Sequence, residues 1–173
     1  MTIIREAELT DHHAIVAMYP DVFPDEDLVP LVNNLHAQAE GLVSLVAVAA
    51  SGQVIGHISL TRCSVSDFDI PVYLLGPLAV SPSHQRSGHG RALIEAGLDR
   101  VQALGASQIY VLGDPVYYSR VGFSAETVVT PPYALPPEWD GAWQSRALVD
   151  PAPKLLGKLQ VPDVWNKKEL WQP

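Results

Sequence analysis

The chain has 173 residues, 47% of them hydrophobic and 17% charged, a composition of one globular domain and not of a disordered segment. Its net charge of −8 speaks against non-specific binding to nucleic acid and against anchoring on an anionic membrane, since both need a basic face. The single cysteine, Cys63, excludes an internal disulfide and a multi-cysteine zinc site; within the strand-like ISLTRCSV it reads as a packed thiol.

The N-terminal MTIIREAELTDHH lacks the basic start and long apolar stretch of a secretory signal. No apolar run approaches the ~18 residues that span a bilayer, so a cytoplasmic location is the expectation. Residues 2–7 alternate as a short strand. Thr10 or Asp11 offers a side-chain oxygen to cap a helix over DHHAIVAMYPDVF, whose apolar residues Ile15, Val16, Met18 and Tyr19 form a partial face. Pro20 and Pro24 are expected to break it. A second helix is predicted from about Glu26 to Glu40, with Leu28, Leu31, Val32, Leu35 and Ala39 on one side and Gly41 as its stop.

LVSLVAVAA and VIGHISLTRC are rich in β-formers, and the turn SGQ joins them as a hairpin. SVSDFDIP reads as a polar loop. VYLLGPLAV is apolar at nearly every position, as in a strand buried on both faces. Pro77 interrupts it. Proline has no N–H, so the strand is expected to bulge or splay there, with Gly76 permitting the distortion. A helix follows over residues 88–104, with Leu93, Ile94, Gly97, Leu98, Val101 and Leu104 in one stripe and Gly105 as its stop. SQIYVLGD is a further buried strand. The strand–loop–helix–strand order from 72 to 113 is a crossover unit that makes its two strands parallel neighbours. VYYSRVGF is a short helix or turn, a strand is expected near Ala125–Val129, and residues 144–150 offer one more. The fold class is therefore α/β, with an antiparallel hairpin before a parallel crossover. Many of the 15 prolines lie after Pro131, which points to an irregular C-terminal third.

The loop before the central helix, SPSHQRSGHGR, sets Gly88 and Gly90 one residue apart. Each costs about 1 kcal/mol of helix stability relative to alanine. Two readings compete: a backbone that a phosphate must approach closely, or a loop that needs unusual backbone angles. Arg86 and Arg91 add positive charge. The mononucleotide loop G-x-x-x-x-G-K-[ST] is absent. The dinucleotide fingerprint G-x-G-x-x-G fails at Leu93, and Asp114 is a poorly placed acidic partner for it. No G-x-S-x-G elbow supports a serine hydrolase.

The stretch LAVSPSHQRSGHGRALI resembles the acetyl-CoA-binding motif of the GNAT acetyltransferase superfamily, V-x-P-x-x-Q/R-x-x-G-x-G/A between a strand and a helix. Val80, Pro82, Gln85, Gly88 and Gly90 stand at its positions. YYSRVGF resembles the family's Y-x-x-x-G-F after the next strand, and LGDPVYYSRVGF is similar to a bacterial subgroup, the YhbS-like proteins. The resemblance covers about residues 2–127. It implies a GNAT-like mixed, mostly antiparallel central sheet with a parallel splayed strand pair and flanking helices. The chain would then form a single acyl-CoA N-acyltransferase domain over 1–173, with residues 128–173 a proline-rich extension packed on the core.

The resemblance also implies acetyl-CoA as cosubstrate, with no metal. Backbone amides around Gln85, Arg86, Ser87, Gly88, His89, Gly90 and Arg91 would hold the pyrophosphate. The peptide-like pantetheine arm would pair against Leu78, Ala79 and Val80, and an amide near Leu78 would face the oxyanion. Tyr118, at the family's tyrosine position, would protonate the departing thiolate; Tyr117 would pack or touch the cofactor. The acceptor would be a small-molecule or peptide amine. The acidic charge slightly favours a cationic one such as a polyamine, an aminoglycoside or a lysine side chain. Asp114, His57 and a water chain all stay open as the base. His12, His13, His36, His84 and His89 show no metal-ligand spacing and are expected at scattered surface positions. Trp139, Trp143, Trp165 and Trp171 would cover a sheet edge, shape an acceptor pocket or form the face of a homodimer. A non-catalytic CoA-binding or regulatory module on the same fold is the alternative function.

Overall fold

A computed structural model describes residues 1–172 of the chain. Strand β1 (Ile3–Glu6) leads into helix α1 (His12–Val22), helix α2 (Val29–Gln38) and the hairpin of β2 (Val43–Val48) and β3 (Val54–Val65). The long strand β4 (Phe68–Val80), helix α3 (His89–Ala103), strand β5 (Gln108–Leu112) and the short helix α4 (Pro115–Ser119) follow. Beyond them lie β6 (Ser124–Ala125), β7 (Val129–Thr130), β8 (Trp143–Ala147) and β9 (Gly157–Gln160). The main sheet runs β1-β2-β3-β4-β5-β8-β6, and β9 joins the far end of β3 to β7. Within that main order every pair is antiparallel except β4–β5, the parallel pair expected of the crossover unit, within the mostly antiparallel sheet that the resemblance implied. No helix among the described residues is long and apolar enough to cross a membrane.

Several local expectations change. The polar stretch 64–71 is mostly strand: β3 and β4 meet at a two-residue turn, Ser66-Asp67, with Ser66 at φ +42°. Its serines and aspartates mask a hairpin because the flanking Val65 and Phe68 still pair. Pro20 lies inside α1 without ending it; it sits exposed in the last turn, two residues before the helix stops. Asp11 caps no helix amide ahead of it. Its carboxylate instead accepts from the Glu8 N–H at 2.7 Å and pairs with Arg5. The second helix starts only at Val29, with Pro30 in its first turn. The strand expected near 125–129 is two two-residue pieces, and Leu104, placed in the apolar stripe of α3, is 45% exposed at the helix end.

The core forms on both faces of the sheet. On one, Leu93, Ile94, Leu98 and Val101 of α3 pack against Ile55, Leu60, Tyr73, Leu75 and Val111. Gly97 and Gly56 allow this close approach, because a Cβ at either would stand 2.8 Å from Leu60 Cδ1 or 2.9 Å from Leu93 Cδ1. On the other, Leu31 and Leu35 of α2 meet Leu74, Tyr110 and three tryptophans, Trp143, Trp165 and Trp171. Each large apolar side chain buried this way contributes roughly 1.5–3 kcal/mol. Trp171 Nε1 donates to Trp165 O and Trp165 Nε1 to Thr61 Oγ1, both at 3.0 Å, so the C-terminal segment is pinned by satisfied donors as well as by area.

Strand β4 makes the functional feature. It pairs with β5 only over Val72–Leu75, yet stays on β3 as far as Val80. The register against β3 shifts between Ile58 and Leu60, opposite Gly76-Pro77. Past that point the edge of Leu78–Val80 turned away from β3 carries no strand.

Candidate active site

The loop from β4 to α3 is built from local chemistry. Ser81 accepts from the His84 N–H at 2.8 Å in a single 3-10 turn, and Gln85 Nε2 donates to Val80 O at 2.9 Å, tying the loop back to the strand. Arg86 (φ +60°) and Gly88 (φ +85°) then reverse the chain. Gly88 is the residue before α3, and no side chain caps that helix. The first helical bond runs from Ala92 N–H to Gly88 O. The amides of His89, Gly90 and Arg91 therefore point out of the helix start, where the dipole is positive.

The two glycines do different work. A Cβ at Gly88 would meet nothing within 4 Å, so Gly88 is needed for its left-handed backbone. A Cβ at Gly90 would collide with the hydroxyl of Tyr117. The unusual backbone angles expected of the loop are found at Gly88, whereas Gly90 makes room for the Tyr117 side chain.

A groove of about 730 Å³ opens at this helix start. Leu78 and Val80 of β4 form one wall; Gln85, Arg86, Gly88, His89, Gly90 and Arg91 form the end; Tyr117 and Tyr118 close the far side. Val22, His84 and Arg120 also line it; Val22, at the end of α1, carries no motif that marks it as a site residue. Ala79 and Ser87 do not line it. Ala79 is 1% exposed and packs toward α1 by strand alternation, and the Ser87 hydroxyl turns back to Gln85 O at 3.5 Å. Arg91 is held by Glu95 at 2.8 Å.

A second cavity, about 680 Å³, lies on the other side of the β4–β5 separation. Its lining includes Leu74, Leu75, Gly76 and Pro77, the end of β5, and Trp139, Trp165 and Trp171 from the C-terminal third. The tryptophans thus both cover the sheet and shape a cavity. The two cavities share Leu78 and Tyr118. Tyr118 is 9% exposed, its ring packs across Gly113 and edge-on to Phe123, and its hydroxyl has no hydrogen-bond partner among the described residues. Burial, then the nearby Tyr117, holds its pKa above the ordinary phenol value. Asp114 lines the second cavity while its Oδ1 accepts from the Val116 N–H at 2.9 Å.

His57 lies elsewhere. It is fully buried, lines neither cavity, and belongs to a chain with His36 and His12 in place of scattered surface positions. Cys63 is buried, and burial pushes its thiol up to about 12, consistent with a packed side chain. Among the described residues no cluster of His, Cys, Asp and Glu is placed to hold a metal ion.

A sequence profile described as the acetyltransferase (GNAT) family matches residues 10–123. The Escherichia coli N-acetyltransferase YhbS is 32% identical over 121 residues, 70% of this chain and 72% of that one. YjhQ, an N-acetyltransferase of the same organism, is 32% identical over 117 residues, 65% of either protein. The crystal structure of E. coli YhbS in complex with CoA superposes with a TM-score of 0.85 at 29% identity, covering 96% of this chain and 92% of that one. A GNAT acetyltransferase from Brucella melitensis in complex with acetyl-CoA gives a TM-score of 0.77 at 27% identity, covering 95% and 98%. The likeness in structure therefore runs past residue 127 into the C-terminal third. With the glycine loop, the splayed strand pair and these matches together, the chain belongs to the GNAT family of acetyltransferases.

Proposed function

We propose that the protein moves an acetyl group from acetyl-CoA to a primary amine, by direct attack of the amine on the thioester. The observation that carries this reading is that two cavities meet at Leu78 and Tyr118, where β4 has parted from β5. The relatives crystallised with CoA and acetyl-CoA support the identity of the donor.

The residues present suit that donor. The helix-start amides of His89, Gly90 and Arg91, with Arg86 and Arg120 beside them, favour a diphosphate. The unpaired edge at Leu78–Val80 suits a peptide-like arm, which would pair there as an added strand. Acetyl-CoA supplies the activated acyl group. A backbone amide near Leu78 would stabilise charge on the carbonyl oxygen. The acceptor nitrogen must be neutral, although a free alkyl ammonium has a pKa near ~10.4. The N–C bond forms, the C–S bond breaks, the nitrogen gives up one proton to water, and the thiolate takes one that Tyr118 would give. A phenol is protonated at neutral pH, so Tyr118 would carry the proton to be given.

Calorimetry with CoA, acetyl-CoA and NAD, together with thiol release over a panel of amines, tests the proposal. Binding of both CoA species but not NAD, with amine-dependent thiol release, is the expected result. Tyr118→Phe is expected to lower kcat by about 100-fold or more with CoA affinity retained. Absence of CoA binding overturns the donor assignment. CoA binding without turnover on any amine would make the protein a binding module, and an unchanged kcat in the variant removes Tyr118 from the reaction.

A further inference from the structure

The two cavities carry opposite charge. Around the glycine-loop groove the ionisable side chains are His84, Arg86, His89, Arg91 and Arg120, and no carboxylate lines it. Around the second cavity they are Glu26, Asp114, Glu138, Asp140 and Glu169, and no Lys, Arg or His lines it. Four separate parts of the chain deliver those five carboxylates: the turn after α1, the end of β5, the 137–140 turn and the C-terminal segment. None is in an ion pair among the described residues. A smaller depression shares Phe23, Glu26 and Leu28 with this cavity and adds Asp25 and Asp27, so the acidic rim continues outward. Beneath the rim the lining is apolar and aromatic: Leu31, Leu74, Trp165 and Trp171. The Tyr118 side chain, 9% exposed and with a hydroxyl that makes no hydrogen bond among the described residues, lines this cavity beside Leu78.

We propose that the acceptor is an oligocationic amine, a molecule with at least two amino groups separated by an apolar spacer; this rests on the acetyl-transfer reading above. One amine, neutral, reaches Leu78 and Tyr118 and is acylated. A second stays protonated at the rim among Glu138, Asp140, Glu169 and Glu26, while the spacer lies on the tryptophan floor. The reacting nitrogen gains the acetyl carbon and gives up one proton; the sulfur loses that carbon and gains one. The distant ammonium does not change. Its role is to orient the substrate and raise its local concentration, since unpaired carboxylates around a low-dielectric floor attract a cation that a single exposed carboxylate would not hold.

The test compares three acceptors of matched spacer length at saturating acetyl-CoA: hexylamine, hexamethylenediamine and aminocaproate. Hexamethylenediamine is expected to show kcat/KM about tenfold above hexylamine or more, and aminocaproate to fall below both, because its carboxylate meets the acidic rim. Raising ionic strength is expected to shrink the diamine advantage. In the double variant Glu138→Gln with Asp140→Asn, the ratio of diamine to monoamine is expected to move toward one. Equal kcat/KM for the three compounds, or a ratio unmoved in the variant, overturns the inference and leaves acetyl transfer standing. Thiol release with none of the amines, including hexylamine, overturns both.

Discussion

Acidification is expected to weaken the fold through one histidine. His57 is fully buried between Tyr19 and Ser44: the Tyr19 hydroxyl lies 2.7 Å from its Nδ1, and Ser44 Oγ 2.9 Å from its Nε2. The proton positions follow from the far end of the chain. The Val32 carbonyl can only accept, so His36 Nδ1 donates to it at 2.9 Å. Neutral His36 then accepts from Ser44 through Nε2 at 2.8 Å, Ser44 accepts from His57, and His57 accepts from Tyr19. A proton added to His57 would face a hydroxyl that is already donating toward it. Burial first, then the charges of His36 and His12, pushes the His57 pKa down to about 3. A folded-state value depressed below the unfolded ~6.5 gives stability that is complete above that pH and lost as pH falls toward 3. From about pH 7.5 to about pH 5 the loss is the ~1.5 pH units below 6.5 at ~1.36 kcal/mol each, or about 2 kcal/mol. Urea unfolding at constant ionic strength reads this as a lower midpoint with an unchanged slope. His57→Gln, whose amide offers an accepting oxygen and a donating nitrogen but no titrating group, is expected to show an acid loss smaller by about that 2 kcal/mol. Equal acid losses in the two proteins would refute the reasoning.

Two further substitutions test other parts of the account. Gly90→Ala is expected to displace the Tyr117 ring and weaken CoA binding by about tenfold, measured by calorimetry, with folding stability changed by less than ~1 kcal/mol because alanine favours the helix. Adding Tyr117→Phe is expected to restore much of the affinity, since the next ring atom, Cζ, would stand 3.8 Å from the new Cβ; no recovery would place the defect elsewhere. Tyr110 is fully buried, stacked on Trp143, with a hydroxyl that finds no partner among the described residues. Tyr110→Phe is therefore expected to be neutral or stabilising by about 1 kcal/mol in urea unfolding, and a loss of that size would reveal an unseen partner.

Much of the donor side was legible in the sequence because its chemistry is local. Gly88, Gly90, Gln85 and Pro77 each impose a backbone or hydrogen-bonding consequence within a few residues, and the splay at Gly76-Pro77 follows from a missing N–H. The second cavity was not legible. Its walls come from residues 23–31, 74–78, 111–115 and 138–171, and nothing in the spacing of Glu26, Glu138 and Glu169 marks them as neighbours. The hairpin turn at Ser66-Asp67 was hidden by polar composition, because strands this close to an edge tolerate exposed side chains such as Asp69. The link from His12 through His36 to His57 was hidden as well: α1, α2 and β3 meet only in the fold.

Tryptophans 165 and 171 have a double duty with a lasting result. The parts that would grip the donor lie between 78 and 121, whereas the opposite cavity takes its aromatic floor from the tail. On the proposed reading, exchanging that tail would be a route to new acceptors that leaves the glycine loop untouched. Yet the same two indoles fill the interior beneath the sheet, so any retuning of substrate choice there is simultaneously a wager on whether the protein still folds.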